Sequence, residues 1–261
     1  MNTVPTISAE WLKLRSVRST VWTLVITVFL CVGIGALLSW AQRSHWPKAS
    51  LQEHLAFNPL SDAALSGFLF APLAIGVIGV LIMSSEYSSG SIRATLSAQP
   101  RRVSVLLSKA AVLFATTLIV GEVCSFASFY VGMAILRGVT PTDTLSSPGV
   151  LRAILLAGLS LALLALFALG IATMLRHTAG SITVYVCILL VLLIIVTALP
   201  SSWNTHVFKY LPEILAATMR SSPPEATSAE TFSPWVSTLV LAAYALAALI
   251  GGGVLLSRRD A

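Results

Sequence analysis

The stretch Ser84-Ser85-Glu86-Tyr87-Ser88-Ser89-Gly90-Ser91-Ile92-Arg93-Ala94-Thr95-Leu96-Ser97-Ala98-Gln99-Pro100-Arg101-Arg102 holds the densest set of groups able to recognise a partner by charge. Ser88 or Ser89 can cap a short helix, Ile92 and Leu96 fall four apart on one side of it, and Pro100 ends it. The product is a compact knob with an acidic entry and a basic exit. On the residues alone two readings stand open: a polar turn whose Arg101 and Arg102 anchor the next apolar segment, or a docking helix that takes up force from a soluble partner.

A second candidate is Glu122, a carboxylate in the middle of a long apolar run, with Gly121 and Ser125 on its face. Inserting an acid at that depth costs about 3 kcal/mol, so the side chain must face protein or water. A structural hydrogen bond inside a helix bundle is preferred to a site for a cationic substrate or a proton, because a lone acid without a mid-span His or Lys makes no relay. Lys109 lies too near the end of its run to meet Glu122 and is expected to snorkel to the surface.

The search for catalysis ends there. No GxxxxGK[ST] phosphate loop, HExxH zinc pair or GxSxG nucleophile elbow occurs in the sequence. His45, His54, His177 and His206 are scattered over separate loops, which argues against a metal site. Cys31, Cys124 and Cys187 fall in three separate apolar runs and make neither a metal knuckle nor a disulfide framework. No catalytic residue, metal or cofactor is therefore assigned to this chain. Active transport would need energy from another polypeptide or an ion gradient.

The elements that position these groups follow from composition. Of 261 residues, 56% are hydrophobic and 10% charged, with a mean hydropathy of +0.89, which leaves too little charge to cover a water-soluble globule. Six runs are long enough to cross about 30 Å of hydrocarbon: Val21–Trp40, Ser66–Met83, Val105–Leu136, Val150–Leu175, Gly180–Leu199 and Trp235–Leu256. Pro72 interrupts the second, and the third is overlong. The chain thus reads as one all-α, polytopic transmembrane domain over residues 1–261. The net charge of +6 comes from short basic clusters between apolar runs and needs no nucleic acid. Their distribution places both termini in the cytosol and the 84–102 loop on the same side.

Two further segments belong at the membrane surface. Ile7, Trp11, Leu14 and Val17 make an apolar stripe flanked by Lys13, Arg15 and Arg18, as in an inner interfacial helix. On the outer side Trp203, Val207, Leu211, Ile214, Leu215 and Met219 recur at helical spacing, with Asn204, Lys209 and Glu213 on the other face. Pro212 suits the first turn of the second of two short helices there. Small residues such as Gly158 with Ala162, and Ala168 with Ala172, are read as ordinary bundle packing.

Glu86-Tyr87 with Gly90, Arg93, Leu96, Pro100 and Arg101-Arg102 resembles the inner loop of ABC-2-type transporter permeases, E-Y-x-x-G-[ST]-I-R-x-T-L-x-x-x-P-x-R. Glu10-Trp11-Leu12-Lys13-Leu14-Arg15 and the two outer helical pieces are also similar to that family. The resemblance implies six helices per subunit, two subunits pairing as copies or homologues, and a separate ATP-binding cassette ATPase that carries ATP and Mg. It further implies that Glu86, Tyr87, Gly90, Arg93, Leu96, Pro100, Arg101 and Arg102 form or frame the docking knob, beside the inner helix bearing Glu10, Trp11, Lys13 and Arg15. The location implied is the bacterial inner membrane and the activity export, with the cargo unspecified. An integral-membrane lipid-modifying enzyme using Glu122 and a non-transporting scaffold or sensor subunit are the alternatives.

Overall fold

The computed structural model describes residues 10–13, 18–92, 97, 102–198, 206–222 and 231–258. Of the residues singled out above, Ile7, Leu14, Arg15, Val17, Arg93, Leu96, Pro100, Arg101, Trp203 and Asn204 lie outside that set. Among the described residues every regular element is helical. Six helices are long and apolar enough to cross a membrane: span 1, Val21–Lys48; span 2, Ala71–Ser88; span 3, Arg102–Leu136; span 4, Val150–Leu175; span 5, Thr178–Thr197; and span 6, Pro234–Arg258.

Local chemistry accounts for the boundaries. Pro72 and Pro234 stand in the first turns of spans 2 and 6, where a missing N–H costs nothing. Pro72 therefore starts span 2 instead of interrupting it, and the helix begins at Ala71, later than the expected Ser66. The His177 ring caps span 5, its Nδ1 accepting from the Gly180 N–H at 3.1 Å. Span 2 stops at Gly90, whose φ of +70° closes the last turn in the left-handed region that glycine enters without penalty.

Residues 59–70, the last five of which were expected within the second run, fold separately from span 2. Asn58 accepts from the N–H groups of Leu60 and Ser61 and opens a short helix over Pro59–Ala64, and a 3-10 turn over Ser66–Leu69 follows. Leu60, Ala63, Ala64, Leu65 and Phe68 are fully buried. A broken backbone among membrane-spanning helices is tolerated where protein surrounds it, and here the widened helical turn Phe29–Ile34 of span 1 and span 3 near Gly132 do so. The hydropathy of this stretch resembles that of an exposed loop because its short length and its Ser, Asp and Pro residues dilute an apolar core.

Span 4 carries the packing. A Cβ at Gly79 of span 2 would lie 2.3 Å from the Ala165 carbonyl oxygen, one at Gly121 of span 3 would lie 2.7 Å from the Gly158 oxygen, and one at Gly170 would meet Ala248 of span 6 at 2.5 Å. Three neighbours thus approach span 4 to backbone contact, as small residues allow in lipid, where packing rather than hydrophobicity joins helices. Spans 1 and 5 are the least enclosed, exposing Trp22, Phe29 and Trp40 on one and Ile194 and Ile195 on the other.

The short helix Pro212–Met219 begins at its proline as expected, but it does not lie along a surface. Leu211, Leu215, Ala216 and Met219 are buried against spans 4 and 6. Glu213, placed by the sequence on an outward polar face, is also buried, because Arg220 two turns later bonds its Oε1 at 3.2 Å.

Candidate functional site

The end of the bundle that carries the N-terminus concentrates the charged groups of spans 2 and 3. Glu86 occupies the last turn of span 2 and Lys109 the third turn of span 3, and the Lys109 Nζ donates to Glu86 Oε1 at 2.6 Å. The same ammonium donates to Glu10 Oε2 at 2.8 Å. Lys13, one turn beyond Glu10, donates to Glu86 Oε1 at 2.9 Å and to Glu10 Oε1 at 3.2 Å. Two ammonium groups and two carboxylates therefore interlock with no net charge, joining the helical residues 10–13 to spans 2 and 3.

The Lys109 side chain is 1% exposed and does not snorkel as expected. Its depth forces the choice: an ammonium buried inside the bundle is stable only when carboxylates satisfy it. Lys13 is the half-exposed member. Burial works against its charged form, but the bonds to Glu86 and Glu10 outweigh that and hold its pKa above the usual lysine range. Trp11 and Leu12 turn outward while Glu10 turns in, so the segment shows its polar side to the protein and its apolar side to the surroundings. That polarity suits a helix lying on a membrane.

A second set of contacts frames the cluster. The Arg102 Nη1 donates to the Leu256 carbonyl at 2.9 Å and the Arg176 Nη2 to the Leu255 carbonyl at 3.3 Å, so two guanidinium groups cap the C-terminal turn of span 6. The Arg176 guanidinium also stands 5.3 Å from the centre of the Tyr87 ring. Spans 2, 3, 4 and 6 and the N-terminal helix are thereby tied at one level.

Of the residues proposed from sequence, Glu86, Glu10 and Lys13 come together here, with Tyr87, Gly90 and Arg102 on the rim. Sequence reasoning missed Lys109, and the usable signal was its depth. Lys109 is a lysine inside the otherwise apolar run Val105–Leu136, whereas Glu86 sits among serines in the polar stretch that precedes it.

Glu122 and Ser125 form no joint site. The Ser125 hydroxyl donates to the Glu122 backbone carbonyl at 3.0 Å, and the carboxyl lies instead against Gly158, where a Cβ would fall 2.6 Å from its Cδ. The carboxyl accepts no hydrogen bond from any described residue.

Six apolar helices held by charge clusters at one end and small-residue contacts in the middle define a multi-pass α-helical membrane protein. Residues 6–195, well over half of the chain, match the ABC-2 family transporter protein pattern, and the chain belongs to that family. It is a membrane subunit of a transporter. No curated protein matches the sequence.

Proposed function

We propose that the chain is the membrane-spanning subunit of an ATP-driven exporter in the bacterial inner membrane, with both termini cytosolic. It works as a pair with a second copy or homologue and is driven by a separate ATP-binding cassette subunit that holds ATP and Mg. The observation that supports this reading is the Glu10–Lys13–Glu86–Lys109 cluster, which couples the N-terminal helix rigidly to the two spans flanking the 84–102 loop. A push on that loop is transmitted to spans 2 and 3 together instead of being absorbed in a flexible joint. Tyr87, Gly90, Arg93, Leu96, Pro100, Arg101 and Arg102 supply the surface that receives the push. Glu86 serves it from behind, since its carboxylate is turned inward.

The test is affinity capture of the chain from its native membrane, identification of copurifying proteins by mass spectrometry, and reconstitution of the complex with ATP. A cassette ATPase is expected to copurify, and Arg93→Glu is expected to abolish nucleotide-driven export while leaving membrane insertion intact. Capture of no such ATPase, or export unaltered by Arg93→Glu, overturns the reading.

A further inference from the structure

Glu122 is half-buried in span 3, and one oxygen of its carboxyl, Oε2, is enclosed without any hydrogen-bond partner. Thirteen residues separate it from Lys109, about 20 Å along the helix, which places it near the middle of the hydrocarbon. No described lysine, arginine or histidine pairs with it. Its floor is Gly158 of span 4, whose missing side chain makes the recess that holds the carboxyl. Within one turn of Glu122, Ile119 and Val123 of span 3 are exposed, as is Leu155, one turn before Gly158 on span 4.

An unpartnered carboxyl at that depth is costly and is retained where something complements it. Because the rim is aliphatic, the complement must itself be at home among lipid chains. We propose that the Glu122–Gly158 recess binds a lipophilic cation, an organic ammonium or phosphonium whose charge meets the carboxyl and whose apolar body lies on Ile119, Val123 and Leu155. A compact hydrated cation such as Na+ would need several oxygen ligands, and the recess offers one carboxyl. Entry is lateral, from the bilayer. The inference deepens the transport reading by naming a substrate class, but binding requires no ATP hydrolysis, so the two fail separately.

The experiment uses the full chain, with any subunits that copurify, in lipid nanodiscs. Binding of radiolabelled tetraphenylphosphonium is compared with that of the tetraphenylborate anion, and with empty nanodiscs. The wild type is expected to bind the cation and not the anion, Glu122→Gln to weaken binding about tenfold through loss of one charge contact, and Ser125→Ala to leave it unchanged. A second measurement needs no variant: dicyclohexylcarbodiimide, which modifies carboxyls in apolar surroundings, is expected to label Glu122, and tetraphenylphosphonium to slow that labelling. Equal binding to wild type and Glu122→Gln overturns the proposal. So does labelling indifferent to the cation, or no labelling, which would mean that a second copy of the chain covers the recess.

Discussion

The Lys109 ammonium and the Glu86 carboxylate meet at 2.6 Å between two membrane-spanning helices, and the lysine is almost wholly enclosed. Removing the cation strands two buried carboxylates that only Lys13 still reaches. Lys109→Met is expected to cost about 4 kcal/mol, as for a broken buried ion pair. Thermal unfolding in nanodiscs should show a large loss, much of it recovered when Glu86→Leu accompanies the change. Single and double variants of equal stability would contradict this account.

The recess at Gly158 predicts a steric effect. A methyl there would overlap the Glu122 carboxyl at 2.6 Å and its backbone nitrogen at 2.8 Å, so Gly158→Ala must force spans 3 and 4 apart. A loss of about 1–3 kcal/mol is expected, typical of overpacking. Because a backbone atom is involved, shortening Glu122 to alanine should rescue only part of it.

Gly90 predicts a different kind of loss. Nothing lies within 4 Å of the position a Cβ would take, so the cost of Gly90→Ala is conformational alone, about 1 kcal/mol. Gly90→Asn, better suited to a positive φ, should lose less. Comparing the two by thermal denaturation separates backbone preference from crowding.

Glu213 predicts a pH dependence. Burial raises its pKa above the ordinary glutamate range, with Arg220 pulling the other way, and the fully buried Tyr185 stands nearby. The folded state therefore holds this proton more tightly than the unfolded chain. The resulting stability is full below the ordinary glutamate value and is lost as pH rises through the raised, folded value. Glu213→Gln should flatten that decline in a series of melting curves across the mildly acidic range, and parallel curves for both proteins would rule it out.

How much was legible follows from which forces act locally. All six spans could be read because the bilayer imposes a length test on each segment by itself, and span 4, Val150–Leu175, falls where expected. The proline at the start of Pro212–Met219 was readable for the same local reason. A sharper reading would also have found the capping box at Ser50 and Glu53, whose S-x-x-E spacing sets reciprocal bonds of 3.3 and 2.6 Å. The fates of Lys109, Glu213 and residues 59–70 were not legible, since each depends on what another segment brings to the same depth. The N-terminal stripe put Trp11 on the apolar side, and Trp11 is exposed, but only three-dimensional proximity shows that Glu10 turns toward Lys109 and Lys13 toward Glu86.

Span 4 is gripped on three sides through backbone contacts, whereas spans 1 and 5 are the least enclosed of the six, so the molecule is built like an axle with two outer vanes. Spans 2, 3 and 6 are keyed to that axle by backbone contact and are therefore expected to move with it as one piece.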